Sequence, residues 1–337
     1  MGLRVNAAHI PRLFGLALLL FAAVEAVQMT FSIEGELISE CGPGAQIHQV
    51  PYGAIMLQIS GAVVLGSLMS YESSYVKNVA RRFNACDLKR LFLGMVVTGG
   101  SVYNSGGKYC IRFYGKDHAL HQVFSALSYE LYRILPSILY IPERGSYMCQ
   151  LYCKDAVLDI KELSPGTNAR KGEVPTIEYI LEGDWSIRNE SMRVIMSVSG
   201  WVNPSLKRTG SGYSVTTKIG LGSSTPVQLN EEYQILAESL SLKLRSYSDS
   251  RYPDTAYLMT YDRDSCRTFL EMGGFVEDCT VKKGRYAGKE KNAVLKASLA
   301  IGGICFETPS SADNAVETGI RNSNFELTAL LGRIMLG

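Results

Sequence analysis

The sequence predicts an α+β fold of two pseudo-symmetric αββαββα repeats, preceded by a two-helix hairpin of membrane-spanning length. Three observations carry this expectation. Two apolar helical runs each drop into a glycine followed by a strand-like start, at residues 94–102 (GMVVTGGSV) and 194–202 (VIMSVSGWV). The helix and strand signals after the two joints come in the same order, as in an internal duplication. The first 85 residues hold two apolar stretches of about 20 residues, the length that crosses a bilayer.

Composition sets the bounds. A chain of 337 residues, 46% hydrophobic, can bury two or three cores. A formal charge of +2 with 20% charged residues excludes a disordered chain or a basic nucleic-acid tail. Cysteines stand at 41, 86, 110, 149, 153, 266, 279 and 305 with no CxxC pair, so they read as free or buried thiols. Cys149 and Cys153 share a strand face without a second ligand pair. His118 and His121 share a helical face and read as solvated surface rather than a metal site. No metal and no cofactor is expected.

The hairpin occupies residues 1–85. Residues 13–31 and 52–71 are the two spans, and the loop between them carries Glu34, Glu36 and Glu40 but no Lys or Arg. Arg4 and Arg12 precede the first span, and Lys77, Arg81, Arg82, Lys89 and Arg90 follow the second. The positive-inside bias then places both ends on one side with the body. Glu25 in mid-span is costly in lipid and is expected to face a protein partner or a polar cavity. Gly53, Ser60 and Ser67 recur every seven residues and allow close helix contact. A basic, acid-free start also suits a cleaved presequence, but no clear small-residue cleavage site follows, so a retained hairpin is expected.

The first repeat is expected over residues 86–175. A helix at 87–97, capped by Asp87, leads to a strand at 101–104, a glycine turn, and the strand KYCIRFYG. A helix from Asp117 follows with Leu120, Val123, Phe124, Leu127 and Leu131 on one face, then strands SILYIP and SYMCQLYC and the helix KDAVLDIKEL. The second repeat, 176–306, answers with a helix at 189–198 and strands WVNPSL and YSVTTKIGL. The helix NEEYQILAESLSLKL, the strands RSYS and AYLMTY, and RDSCRTFLEMGGF complete it. Residues 307–337 read as a C-terminal tail.

With LFLGMVVTGGSV and MRVIMSVSGWV as paired signatures, and FLEMGGFVEDCTVKKG as a closing segment, residues 86–306 resemble a two-repeat LAGLIDADG homing endonuclease. The resemblance implies saddle-like antiparallel sheets and signature helices that pack together, here through Gly94, Val97, Ile195 and Val198. It also implies an acidic residue ending each signature helix, the two carboxylates holding the divalent metals that activate water. This chain departs from the pattern at both places. Gly99 and Ser199 occupy the matching positions, and the resemblance therefore implies a nuclease fold without its catalytic residues.

Charge gives a mixed answer on partners. Removing Arg4 and Arg12 from 34 basic residues leaves 32, and removing Glu25, Glu34, Glu36 and Glu40 from 32 acidic ones leaves 28, so the body carries only +4. One run is basic: Lys282, Lys283, Arg285, Lys289, Lys291 and Lys296. Arg112 and Lys218, with Thr216 and Thr217, lie on strands where DNA readers of this fold place base contacts. Two functions follow. The first is a non-catalytic scaffold or accessory subunit of a membrane protein complex, touching lipid and subunits through the hairpin, in an organelle (mitochondrial) inner membrane. The alternative is a degenerate homing endonuclease or maturase that binds DNA or RNA without cutting it.

Overall fold

The computed structural model describes residues 73–167, 174–210, 212–249 and 252–322. Both expected spans, Glu25 among them, and residues 323–337 lie outside these. Among the described residues no helix is long and apolar enough to cross a membrane.

The first described helix, α1 (Ser74–Arg82), is capped by Ser73, whose side chain accepts from Val76 N. Next comes α2 (Ala85–Gly99), longer at both ends than its apolar run suggested. Its cap is Asn84, which accepts from Asp87 N, so Asp87 is the residue served by the cap and not the cap itself. Strands β1 (Gly100–Ser105) and β2 (Lys108–Gly115) pair antiparallel around Gly106 and Gly107, both at positive φ, the hairpin turn that glycine permits. Helix α3 (His118–Tyr132), strands β3 (Ser137–Ile141) and β4 (Ser146–Leu151), and helix α4 (Lys154–Leu163) complete the unit. The sheet order is β1-β2-β4-β3.

The second unit repeats the plan. A single-turn helix α5 (Glu178–Leu181) leads to α6 (Trp185–Ser199), which begins four residues before the expected start and is capped by Asp184. Strands β5 (Gly200–Thr209) and β6 (Gly212–Pro226), helix α7 (Val227–Ser239), strands β7 (Arg245–Asp249) and β8 (Tyr252–Thr260), and helix α8 (Arg263–Glu271) follow, in sheet order β5-β6-β8-β7. The expected helix through Leu244 stops at Ser239, because Ser241 adopts a left-handed φ of 62°. Beyond the duplicated plan stand α9 (Lys291–Ile301), a two-residue β9 (Cys305–Phe306) paired to β6, and α10 (Pro309–Arg321). The stretch read as the start of a tail is therefore a capped helix, with Thr308 and Ser311 forming a capping box and Ala312, Ala315 and Val316 buried. Mixed helix and antiparallel sheet in two matching units is consistent with the LAGLIDADG fold.

Helices α2 and α6 meet face to face at the centre. A Cβ built on Gly94 would lie 3.3 Å from Ile195 Cγ1, and one on Gly99 only 2.5 Å from Val198 Cγ1. Thr98 reaches the second unit directly, its hydroxyl 2.8 Å from that of Tyr233 on α7. Half-buried Val97 instead lines a small cavity with Thr167 and Pro175. At the joints, Gly100 and Gly200 have ordinary negative φ. Their glycine is steric: a Cβ would come within 2.8 Å of Val96 O at Gly100 and within 2.3 Å of Met196 O at Gly200. The chain turns from helix to strand so tightly that no side chain fits the corner.

A buried polar knot ties α1 to α6. Tyr75 Oη donates to Glu190 Oε2 at 2.9 Å, and Arg193 Nη1 donates to both Glu190 oxygens at 3.1 and 3.0 Å. Arg193 also donates to the carbonyls of Gly273 and Gly274. Glu190 is 2% exposed, so each charge is fully partnered, as burial demands.

His121 departs from the sequence reading. It is fully buried, because α3 turns that face onto the sheet. Its Nε2 lies 3.2 Å from Gly115 O and its Nδ1 3.1 Å from Cys149 Sγ. Burial lowers the imidazole pKa to about 4 and raises the Cys149 thiol to about 12, a neutral pair inside the core.

Candidate functional site

The two joints bring the C-terminal ends of α2 and α6 together, Gly99 against Val198, with β1 and β5 each leaving into its own sheet. Around the α6 end lies a cleft of about 540 Å³ lined by Ser199, Trp201, Asn203, Lys282, Lys283, Arg285, Tyr286 and Lys291, with no Asp or Glu among its lining residues. The segment 281–290, which returns across the end of α6, and the first residue of α9 supply its cations.

Each cation is held differently. Lys291 is 2% exposed, and its Nζ donates to Ser197 O at 2.9 Å and Gly200 O at 2.8 Å. It thereby satisfies carbonyls that the helix end leaves without a partner, and its charge opposes the negative end of the helix dipole. Phe275 lies under the ammonium at 5.0 Å. Burial pulls the Lys291 pKa down to about 8. Lys282 Nζ lies 3.4 Å from Val198 O and 3.5 Å from Asp117 Oδ2. Asp117 also accepts from Thr280 N and Oγ1, at 3.1 and 2.6 Å, so it anchors the basic segment and does not cap α3 by its side chain. Arg285 pairs with Asp313 and Glu317 of α10. Lys283 is exposed, and no carboxylate of the described residues pairs with it. Lys289 is exposed and lies outside the lining.

The residues at the helix ends do not fit the divalent metal that the resemblance implies. Gly99 offers no side-chain ligand, Ser199 only a hydroxyl, and two ammonium groups hold carbonyls beside Ser199. Among the described residues no cluster of three His, Cys, Asp or Glu side chains could hold a metal ion. The position of Gly99 is also closed sterically, because any Cβ there meets Val198 at 2.5 Å and Phe113 at 3.0 Å.

The outer face of the second sheet continues from the cleft. Cross-strand pairs Trp201↔Gly220, Asn203↔Lys218, Ser205↔Thr216 and Lys207↔Ser214 share that face by their register, alternating with buried Val202↔Ile219. Thr217, expected on the reading face, points the other way: it is 6% exposed and donates to Ser298 Oγ at 3.0 Å. Arg112 is on the first sheet, across from Ser101 and Gln150, its guanidinium 6.0 Å over the Tyr103 ring. The structure thus gathers Lys282, Lys283 and Arg285 in one cleft, puts Lys218 on the adjoining face, and leaves Arg112 on the other unit. Trp201 and the capping role of Lys291 were missed by sequence reasoning. A 3.6-residue pattern at Lys291, Val294, Leu295 and Ser298 is the signal that places Lys291 on the buried face of α9.

No protein-family model matches this chain, and no curated protein matches it. Among solved structures it is similar to the meganuclease I-SmaMI bound to uncleavable DNA, at 12% identity over 74% of this chain and 99% of that one, with a TM-score of 0.44. It is also similar to the I-LtrWI LAGLIDADG homing endonuclease bound to target DNA, at 11% identity over 58% and 87% of the two chains, TM-score 0.40. I-DmoI in complex with DNA and Ca gives 14% identity over 56% and 91%, TM-score 0.40. Likeness of this grade says nothing of the residues at the site.

Proposed function

We propose that this chain binds nucleic acid without cutting it. The observation that carries the reading is the pair of helix ends: Gly99 and Ser199 stand where a cleaving relative needs carboxylates, and Lys282 and Lys291 place ammonium groups on the surrounding carbonyls. A metal-dependent cut needs a site that attracts a dication, and this one repels it. Binding is supported by the cationic cleft and by the polar face that runs from it through Asn203, Lys218 and Lys207. The test is the full-length chain with labelled DNA and RNA in Mg²⁺ or Mn²⁺. Expected are salt-sensitive complexes and intact substrate. Metal-dependent products that disappear in Ser199→Ala would refute the non-cleaving half, and binding no tighter than about 10⁻⁴ M would refute the other.

The scaffold reading keeps one observation in its favour. Edge strand β3 exposes Leu139 (43%) and Tyr140 (56%), preceded by exposed Ile134 and Leu135, an apolar edge of the kind a protein partner covers. The equivalent edge, β7, carries exposed Arg245 instead. Recovery of the same co-purifying membrane proteins from mild detergent, with and without nuclease treatment, would favour this second reading, with the complex in an organelle inner membrane.

A further inference from the structure

Trp201 differs from the other residues of the cleft. It pairs across the sheet with Gly220, and a Cβ on that glycine would fall 2.3 Å from Trp201 Cζ2 and 2.5 Å from Cε2. The indole therefore lies over bare backbone, covering the space a side chain would fill, while Trp201 also lines the cleft. A flat aromatic ring fixed in place on one side and bordering a cavity on the other is a stacking platform.

The surroundings select what stacks there. The cations beside the platform are Lys282, tethered by Asp117 and Val198 O, and Lys283, which no carboxylate of the described residues engages. The end of α6 would ordinarily repel an anion with its carbonyls, but Lys291 and Lys282 occupy those of Ser197, Val198 and Gly200. The volume, about 540 Å³, takes one nucleotide with room for water. A base inside a duplex has both faces covered by its neighbours and cannot stack on Trp201.

We infer that the cleft takes an unpaired nucleotide, its base stacked on Trp201 and its phosphate between Lys282 and Lys283, so that the preferred ligand is single-stranded or locally unpaired nucleic acid. The inference rests on the nucleic-acid reading above and narrows it. Asn203, on the same sheet face and in the same cleft, is placed to meet the edge of the base. No covalent step is involved.

The experiment uses the chain's two tryptophans. In a full-length Trp185→Phe variant, Trp201 is the sole reporter. It is titrated with an oligo(U) and an oligo(dT) of about 12 nucleotides, within the usual span of single-strand sites, and with a fully paired duplex of mixed sequence and equal length. Binding is followed independently by anisotropy of a label on the nucleic acid. Expected are quenching of Trp201 by the single strands and weaker binding of the duplex. Trp201→Ala is expected to weaken single-strand binding by roughly 5- to 150-fold, the worth of one stacked base, while Trp201→Phe keeps most of it. Exposed Lys283→Glu is expected to lower the salt slope by about one or more. Single strands that bind with Trp201 unquenched and Trp201→Ala unaffected would overturn this inference and leave the nucleic-acid reading standing. A duplex that binds as well as the single strands would also overturn it. Failure of every nucleic acid to bind would remove both.

Discussion

Lys291→Met is the substitution whose outcome the geometry constrains most tightly. The wild-type ammonium makes two charge-assisted hydrogen bonds to buried carbonyls, of Ser197 and Gly200. Removing them leaves both acceptors without a donor, at about 1–3 kcal/mol each. Against this, methionine no longer buries a charge. A pKa lowered from 10.5 to about 8 corresponds to roughly 3 kcal/mol of charge burial at neutral pH. The opposed effects place the variant between about 1 kcal/mol more stable and about 3 kcal/mol less stable than wild type at pH 7. The pH dependence is sharper. Between pH 8 and 10.5 the unfolded lysine still holds its proton and the folded one has released it, so folding stability rises with pH across that window. The wild type should gain up to about 3 kcal/mol on the variant between pH 7.5 and 10. Urea unfolding of both full-length chains at several pH values measures the difference directly. A constant gap between the two would mean that Lys291 keeps an ordinary pKa, with the carbonyl bonds outweighing burial. A variant more than about 1 kcal/mol more stable than wild type at pH 7 would show that the helix end does not need the ammonium.

Three further outcomes are expected. Gly94→Leu should cost about 1–3 kcal/mol, since a Cβ already stands 3.3 Å from Ile195 and the rest of the side chain overpacks the seam; chemical denaturation reads it. Gly99→Asp, which restores one carboxylate in type, should destabilise by a similar amount through Val198 and should confer no Mg²⁺-dependent cleavage, because Lys282 and Lys291 still hold the adjacent carbonyls. His121 is neutral in the fold with a pKa of about 4, against 6.5 when free. The unfolded chain therefore takes up its proton first as pH falls, and stability should drop by up to about 3 kcal/mol between pH 6.5 and 4, a drop that is shallower in His121→Gln.

The duplicated body is legible because its repeat rests on strong local signals. KYCIRFYG and KDAVLDIKEL coincide with β2 and α4 residue for residue, each bounded by glycine, a turn or a capping residue. Errors cluster where a polar residue decides a boundary. Asn84 and Asp184 start their helices before the apolar runs begin, and Ser241 ends α7 through a backbone conformation that no propensity announces. The site was half legible. That the two signature-like helices end in Gly99 and Ser199, with no carboxylate at either, is visible in the letters alone. The use of Lys291 is not, because a basic run reads as solvated until the helix that buries this one member is recognised. Trp201 needed cross-strand register, since its partner Gly220 lies 19 positions away and only pairing brings the ring over bare backbone. His121 was misread for the same reason: one helical face was identified, but not the sheet it covers.

The knot of Tyr75, Glu190 and Arg193 has a mechanical consequence. Helix α1 is the first described element, and the chain that precedes residue 73 enters the body through it. Its anchor is not on the periphery: Glu190 and Arg193 belong to α6, the helix that forms half of the central seam. Tension on the entering chain would reach α6 through the phenol–carboxylate bond of Tyr75 and pass on, through Arg193, to the glycine carbonyls at 273 and 274, which follow α8. Arg82, at the far end of α1, grips the same carboxylate at 3.4 Å. Anything that pulls on the leading segment thus loads the central helix through Glu190 as well as α3, on which α1 also packs.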